Sequence, residues 1–291
     1  MKAWWQAFGS GLEPHLCAIR FDDELIGIAP LFFQGNKARL IGSPDVCDYL
    51  DVIVAPGREG ALFEHLIPHL EQQGITHLDL GVLRADSIVF SHLLAAAKRL
   101  NCEVFCEPED VSMELELPST WDAFLNGLTG KERHEIRRKL RRLKEAAQIN
   151  FRVVERKTEV SEQIEIFFEL FKLNRSDKSD FMTAQRVSFF RSLAEALAEA
   201  RILKLFFLDL DDRPAAAVMC FDYNSTVYLY NNGYDERYRS LSVGLLSKVL
   251  TIQNSIERGR IKYDFLKGPE VYKKRLGGKP VQLFRCQVEL R

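Results

Sequence analysis

Short apolar stretches alternate with longer amphipathic stretches along this chain, and this pattern indicates a mixed α/β fold. Stretches of strand length are bounded by polar turns such as Asp22-Asp23-Glu24. Longer stretches carry apolar residues at helical spacing, as in 58–73, where Gly74 provides a stop and Pro68 is expected to disturb the last turn. For the first part of the chain the pattern predicts strands at 15–21, 25–33, 38–42, 48–54, 76–80, 103–106 and 112–117, and helices at 58–73 and 88–100.

A polar segment around Pro118 marks a boundary, so we predict one domain over 1–117 and a second over 118–291. The second domain begins with a strongly basic helix and then follows the order β-α-α-β-β-β-α-β-α-β. The predicted helices lie at 121–147, 161–173, 185–200, 241–258 and 270–276. The predicted strands lie at 150–155, 202–210, 214–221, 226–231, 261–266 and 281–290.

The two parts of the chain share local features at a constant offset. Gly74 and Gly259 each close a predicted helix, and Asp79 and Asp264 each lie in the following strand; both pairs are 185 residues apart. From its first hairpin onward the first part also follows the element order of the second. A duplication is therefore predicted, with two tandem units that each have a mixed, mostly antiparallel sheet flanked by helices.

Composition places the chain among ordinary globular proteins. Of its 291 residues, 46% are hydrophobic and 28% are charged, and the formal net charge is −1. This balance gives no overall field that would select nucleic acid or an anionic membrane. The six cysteines form no CxxC pair, which favours reduced thiols in a cytosolic protein. We find neither a signal peptide nor an apolar stretch of membrane-spanning length, so a cytoplasmic location is expected.

Several segments, in the right order, carry a family resemblance. Residues 263–277 (YDFLKGPEVYKKRLG) resemble the DFLRG-x-E-x-YK signature of CelD-type, BioF2-like acetyltransferases of the GNAT superfamily. Residues 131–143 (KERHEIRRKLRRL) resemble the basic helix of that family. Residues 228–235 and 241–246 are similar to its fourth strand and the start of the next helix. More distantly, the chain resembles the Fem-type peptidyltransferases, which are paired GNAT units.

The resemblance implies transfer of an acyl group from an acyl thioester to an amine. Acetyl-CoA or another acyl-CoA would be the co-substrate, in cell-surface polysaccharide biosynthesis or other cell-envelope metabolism; Fem-type relatives use aminoacyl-tRNA instead. Measured against this family, the N-terminal unit is expected to be trimmed. The usual phosphate loop, Q/R-x-x-G-x-G/A, is degenerate here, because 239–245 (RSLSVGL) contains one glycine at a different spacing.

A donor site is predicted where the helix at 241–258 begins. Free backbone N–H groups and the helix dipole favour anions at such a position. Ser240 or Ser242 would cap the helix, Gly244 would allow close approach of a phosphate, and nearby arginines would add charge. The plainer interpretation is an ordinary helix cap beside a solvated arginine loop. The predicted donor-binding residues are Asn231, Arg237, Arg239, Ser240, Ser242, Val243, Gly244 and Leu245.

The predicted reaction centre lies where strand 226–231 separates from strand 261–266, as it does in GNAT folds. Tyr230, Tyr234 or Tyr272 would protonate the leaving thiolate, unless these tyrosines only fill the core. Lys273, with Tyr272, resembles the Phe-Lys dyad of Fem ligases and would steady the acyl carbonyl; otherwise it is a surface lysine. Asp264 is a candidate base, although its counterpart in the other unit favours a structural carboxylate.

The acceptor is expected near the basic helix. Residues 131–144 carry eight Lys or Arg and two Glu, a local charge of +6, which suits an anionic or amine-bearing small molecule or glycan. The cytoplasmic face of a membrane and, for a Fem-like enzyme, tRNA are further candidate partners. A solvated helix face is the alternative. The predicted acceptor-binding residues are Arg137, Arg141, Lys267 and Glu270.

Other chemistries lack support in the sequence. His65 and His69 are four residues apart, but no HExxH arrangement accompanies them, so no metal is predicted. GxSxG, P-loop and GxGxxG motifs are absent from the sequence. Three hypotheses remain: an acyl-CoA-dependent N-acyltransferase, an aminoacyl-tRNA-dependent ligase, and a non-catalytic GNAT-fold module that binds an anionic ligand.

Overall fold

A computed structural model describes residues 1–173 and 181–291. These residues form two compact units. The first unit contains Met1–Val111 together with Val281–Arg291, and the second contains Ser112–Pro280. Both units combine helices with a mixed sheet, which confirms the predicted fold class. The division into domains at residues 117 and 118 stays a prediction.

The first unit packs two amphipathic helices against its sheet. Its strands follow the order β1-β2-β3-β5-β12-β6, with β4 added beside β2. All of these neighbours are antiparallel where their register is defined, except β3 and β5, which are parallel. The helices are α1 (Lys2–Phe8), α2 (Glu59–Gln72) and α3 (Ile88–Arg99). The strands are β1 (Glu13–Phe21), β2 (Glu24–Gln34), β3 (Lys37–Leu40), β4 (Ile53–Val54), β5 (His77–Arg84), β6 (Glu103–Glu116, as far as residue 111) and β12 (Lys279–Glu289).

The second unit has the strand order β6-β11-β10-β9-β8-β7, and it includes the last residues of β6. Among the strand pairs that the described residues of this unit form, β10 and β11 are parallel and the others are antiparallel. The strands are β7 (Ile149–Val154), β8 (Leu203–Leu210), β9 (Arg213–Tyr223), β10 (Thr226–Tyr234) and β11 (Lys262–Lys267). The helices are α4 (Trp121–Gly127), α5 (Gly130–Ala146), α6 (Lys157–Leu173), α7 (Ala184–Glu199), α8 (Val243–Glu257) and α9 (Val271–Arg275), with a 3-10 turn at Glu236–Leu241.

The internal duplication is visible in matching turns. Gly74 and Gly259 both have positive φ, +75° and +69°, and each closes a helix. The next backbone N–H groups bond equivalently, Ile75 to Leu70 and Arg260 to Ser255. The hairpin turns before β2 and β9 also match, because each contains two aspartates with positive φ. The shared geometry at these turns supports the predicted duplication.

Several predicted elements differ from the structure. The basic helix predicted over 121–147 is two helices, because Thr129 begins α5 by accepting the backbone N–H of Glu132. The strands predicted at 103–106 and 112–117 are one strand, β6. The predicted strand 48–54 is limited to Ile53–Val54. Pro68 leaves its helix intact, and α2 continues to Gln72.

The expectation that all cysteines are reduced is wrong. Cys106 of β6 and Cys286 of β12 form a disulfide with an S–S distance of 2.01 Å. The two residues are 180 positions apart in the sequence, and their pairing depends on β6 and β12 being neighbours in the sheet. Cysteine spacing therefore gave no signal of it. None of the helices formed by the described residues has both the length and the apolar character needed to cross a membrane.

Candidate active site

The parallel strands β10 and β11 separate halfway along their length. Their pairing runs from Thr226 and Lys262 to Tyr228 and Asp264 and ends there. Beyond this point β10 continues to Tyr234, paired with β9 through a bulge at Tyr230. The predicted separation is confirmed, and it leaves an opening between two strands that are both otherwise held in the sheet.

Helix α8 begins beside this opening with an unusual cap. Ser242 adopts a left-handed conformation with φ +61°, and its side chain accepts no N–H from the helix. Its hydroxyl instead accepts a hydrogen bond of 2.7 Å from the ammonium of Lys139 on α5. Within the described part of the chain, the N–H groups of Val243 and Gly244 have no acceptor. The helix start therefore presents two donors and the positive end of its dipole.

A cavity of about 680 Å³ lies in front of this helix start. Five of the predicted donor-binding residues line it, namely Arg239, Ser242, Val243, Gly244 and Leu245. Lys139, Lys248 and Arg275, which sequence reasoning missed, add three cationic side chains to its wall. An adjoining cavity of about 350 Å³ shares Lys139, Leu245, Tyr272 and Arg275 with the first and continues along α5. The two cavities together suit an anionic ligand with an apolar part.

Lys248 connects three elements at the back of the cavity. Its ammonium donates to Asn232 Oδ1 at 2.9 Å and to the Gly244 carbonyl at 2.6 Å. The same nitrogen lies 4.9 Å from the centre of the Tyr272 ring. Lys248 is only 6% exposed, although it lies in an otherwise largely apolar helix. In the sequence, Lys248 lies among the apolar positions of the predicted helix. A charged residue at such a position could have indicated a functional role.

The comparison with known families agrees with this geometry. Residues 130–274 match the model of the Acetyltransferase (GNAT) domain. The matched segment includes α5, the separating strands, α8 and most of α9. No curated protein matches the chain.

Solved structures share the fold of this protein over nearly the whole chain. A domain of Agrobacterium fabrum, the C-terminal part of a candidate lysylphosphatidylglycerol synthetase, gives a TM-score of 0.64 at 11% identity, covering 98% of this chain and 86% of its own. FemX has a TM-score of 0.63 at 13% identity, and the match covers 98% of this chain and 90% of the FemX chain. L-PGS from Bacillus licheniformis has a TM-score of 0.60 at 9% identity, and the match covers 100% of this chain and 91% of the L-PGS chain. At these identities the comparison shows the fold and leaves the activity open.

Tyr272, one of the predicted catalytic residues, lines both cavities. Burial raises the pKa of its phenol well above the ordinary value, and Glu270 adds to the effect. A phenol with a raised pKa keeps its proton more firmly, so complete transfer to a thiolate is unfavourable. Its position and protonation suit a hydrogen-bond donor to a leaving sulfur or a carbonyl oxygen.

Lys273 is occupied by the protein itself. Its ammonium donates to the carbonyls of Leu266, Lys267 and Gly268 at 3.1, 2.7 and 3.1 Å and forms a 2.8 Å ion pair with Glu270. Only 2% of Lys273 is exposed. The alternative interpretation of Lys273 as a surface lysine is therefore wrong, and these contacts indicate that the ammonium fixes the loop after β11. Its role at the acyl carbonyl stays a prediction.

Asp264 also has a structural partner. It is 1% exposed, and its Oδ1 accepts the backbone N–H of Leu266 at 2.7 Å. Leu266 has φ +59°, so the carboxylate stabilises a turn that a non-glycine residue seldom adopts. Asp79 makes the same contact in the first unit, to the N–H of Gly81 at 3.1 Å. This correspondence favours the structural interpretation of Asp264.

The remaining predicted residues lie around the site. Tyr230 packs between Phe190 and Phe221 at ring distances of 5.9 and 4.7 Å. Asn231 lies on β10 opposite Met219. Arg237 is held by Asp235, whose pKa it lowers through hydrogen bonds of 2.6 and 2.8 Å. Exposed Ser240 lies in the 3-10 turn and is not the cap.

The predicted acceptor residues are not brought together. Arg137 and Arg141 line a separate hollow of about 530 Å³ with Trp121, on another side of α5. Glu270 is half exposed and paired with Lys273, and the Lys267 carbonyl accepts from the same lysine. The basic helix contributes to the main site through Lys131, His134, Glu135, Ile136 and Lys139 instead. Their roles in acceptor binding stay predictions.

Proposed function

We propose that this protein is an N-acyltransferase that moves an acyl group from acetyl-CoA, or another acyl-CoA, to an amine. The observation that carries the proposal is the start of α8, where the N–H groups of Val243 and Gly244 face a cavity with four cationic side chains. This site lies beside the separated ends of β10 and β11. Phosphates of a donor would accept hydrogen bonds from the two N–H groups and would be attracted by the surrounding cations.

The donor phosphates would bind at Arg239, Lys139 and the first turn of α8. The degenerate phosphate loop is compensated by these side-chain cations, because each can form a charge-assisted hydrogen bond that a glycine-rich backbone would otherwise supply. Lys139 is already oriented toward the helix start by its contact with Ser242. The acyl chain would extend toward Leu245 and Tyr272, where the second cavity has apolar walls.

The reaction would take place at the strand opening. The amine nitrogen attacks the thioester carbonyl carbon, the C–S bond breaks, and coenzyme A leaves as the thiolate while the proton of the amine passes to a base. The developing oxyanion would be stabilised at this opening by backbone N–H groups. Tyr272 would donate a hydrogen bond to the departing sulfur.

The attacking amine must lose a proton to a base. His134 lies on the wall of the smaller cavity and carries the side-chain type most often used for this task. Its neighbour Glu135 is a poor candidate, because hydrogen bonds from Arg138 and Lys139 lower its pKa to about 2. We therefore assign the base to His134.

The acceptor would approach along α5. The helix carries a local charge of +6 in 131–144, which favours an acceptor with an anionic group near its amine. Phosphorylated amino sugars that serve as precursors of cell-surface polysaccharide or of other envelope material would have this character. This finer assignment is part of the proposal.

Turnover tests the proposal directly. Wild-type protein is mixed with acetyl-CoA and, separately, with an amino sugar, an amino-sugar phosphate, a peptide amine and a polyamine, and free thiol and product mass are measured. We expect thiol release that depends on one of the amines, and a marked loss in His134→Ala but not in Arg141→Ala, which alters a different side of α5. Thiol release no faster than without protein for every amine would contradict the proposal.

A second candidate is an aminoacyl-tRNA-dependent ligase. It is favoured by the basic α5 helix lining the cavity and by the fold shared with FemX. Incubation with charged tRNA and the same amines distinguishes the two. Aminoacyl transfer without any acetyl transfer would replace the first proposal with the second.

A further inference from the structure

Three metal-ligating side chains converge in the first unit, far along the chain from the GNAT match. His15 and Cys17 are two residues apart on β1 and therefore lie on the same face of that strand. His69 lies on α2, which packs on the same strand. One ligand atom from each residue lies within 4.8 Å of the others. We propose that these three side chains form a Zn²⁺ site.

The geometry needs only small adjustments to bind the ion. The Nε2 atoms of His15 and His69 face each other at 3.0 Å. In a tetrahedral zinc site, two nitrogens at their usual bond lengths are about 3.3 Å apart, and a nitrogen and a sulfur about 3.6 Å apart. The two imidazoles must open by a few tenths of an ångström, and Cys17 Sγ must move toward them. Zn²⁺ then takes the place of the proton that the two rings now share.

The surroundings fix the first ligand and leave one side open. The His15 ring stacks on Phe33 with a centroid distance of 4.1 Å and is nearly parallel to the His69 ring. Cys17 is 9% exposed, whereas both histidines are half-buried. The sulfur thus lies at the base of the site, and the fourth position opens to water on the side of the histidines.

The ligand set selects a borderline or soft ion. Imidazole and thiolate ligands both suit Zn²⁺, whereas Mg²⁺ and Ca²⁺ require oxygen ligands. The histidine pair suggested by sequence spacing is not the one in the structure. The Nδ1 atom of His65 lies 2.8 Å from the carbonyl of Ala61, and its ring meets Phe21 edge-on. His69 instead pairs with a histidine 54 residues earlier.

The site would join an edge strand to a helix. In its own unit β1 is the outermost strand of the order, paired on one side only by β2. Coordination by residues of β1 and α2 would fasten this edge to the helix above it. The inference does not depend on the acyltransferase activity.

Metal binding by the purified full-length chain tests the inference. The protein is stripped with a chelator, dialysed and titrated with Zn²⁺ in competition with a chromophoric chelator, and with Co²⁺ as a spectroscopic probe. We expect about one Zn²⁺ per chain and a Co²⁺ spectrum with tetrahedral ligand-field bands and a thiolate charge-transfer band. Cys17→Ala should abolish the charge-transfer band, and His69→Ala should weaken Zn²⁺ binding by at least about tenfold.

His65→Ala is the matched control, because it removes a histidine that lies on the same face of α2 as His69, one turn away. It should bind Zn²⁺ as the wild type does. Circular dichroism of the metal-free variants verifies that each one folds. Failure of folded wild-type protein to bind Zn²⁺, or equal binding by the Cys17, His69 and His65 variants, would overturn the inference. A Co²⁺ spectrum without a thiolate band would remove Cys17 from the site.

Discussion

The ammonium nitrogen of Lys248 lies 4.9 Å from the centre of the Tyr272 ring, so a buried cation of α8 rests against an aromatic side chain of α9. Both residues line the larger cavity. The contact places the Tyr272 ring beside the start of α8, where the donor is proposed to bind. The protonation state of this tyrosine is therefore central to the proposed chemistry.

Tyr272 should make stability fall at alkaline pH. A tyrosine in an unfolded chain loses its proton at about pH 10, whereas burial raises the pKa of folded Tyr272 above that value. Above about pH 10 the folded state thus binds more protons than the unfolded state, and the free energy of unfolding decreases as pH rises. Each pH unit costs up to about 1.4 kcal/mol for such a group. Urea unfolding at a series of alkaline pH values measures this slope.

Two substitutions separate Tyr272 from the other tyrosines. Tyr272→Phe should make the alkaline loss of stability less steep, although buried Tyr263, whose pKa is also raised, will keep part of it. Tyr223→Phe is the control, because that side chain is 62% exposed. Identical slopes in wild type and Tyr272→Phe would show that this phenol is not buried as described.

Lys273→Ala is expected to destabilise the fold. The substitution leaves the carbonyls of Leu266, Lys267 and Gly268 without their buried donor, at a cost of about 2–4 kcal/mol. Lys274→Ala, at the exposed neighbouring position, should change stability by less than about 0.5 kcal/mol. Urea unfolding compares the two. Equal stabilities would mean that Lys273 is free for another role, such as the one expected from the Fem-type dyad.

Gly244→Ala should lower the stability of the protein, whereas the corresponding substitution in α2, Gly60→Ala, should not. A Cβ at Gly244 would lie 2.6 Å from Cδ1 of Tyr234, so the ring must move at a cost of about 1–3 kcal/mol. Gly60 has the same place in its helix, the second residue, but its Cβ would meet only an Arg99 nitrogen at 3.7 Å. Gly60→Ala should be neutral or stabilising by up to about 1 kcal/mol. Thermal unfolding that ranks the two variants in the opposite order would refute this account.

Much of the fold was predictable because its signals are local. The order of elements in the second part follows from apolar periodicity and glycine stops, and the duplication follows from Asp79 and Asp264, whose matching turns the structure shows. The break before α5 was missed because the helical pattern of the sequence continues through it. The signal for the break is the side chain of Thr129, which caps α5. The disulfide was missed because strand neighbours so distant in sequence leave no local pattern.

The site was predictable only in part. The start of α8 follows from helix-end physics and from the resemblance, which together single out Ser242 and Gly244. Lys139 was not identified as a donor-site residue, because its contact with Ser242 spans 103 residues and depends on how α5 packs. The role of Lys273 was not predictable either. The sequence shows only a run of basic residues, whereas the carbonyl groups that accept from the Lys273 ammonium are brought together by folding.

The most direct test of the donor site is a comparison of two acyl thioesters by calorimetric titration. Acetyl-CoA and acetyl-pantetheine share the reactive group, but only the former carries phosphates. We predict that acetyl-CoA binds at least about tenfold more tightly, and that Lys139→Ala and Arg239→Ala each remove about a factor of ten while Arg141→Ala removes none. Equal affinity for the two thioesters, or equal binding by all three variants, would contradict the assignment of the α8 start as the phosphate site.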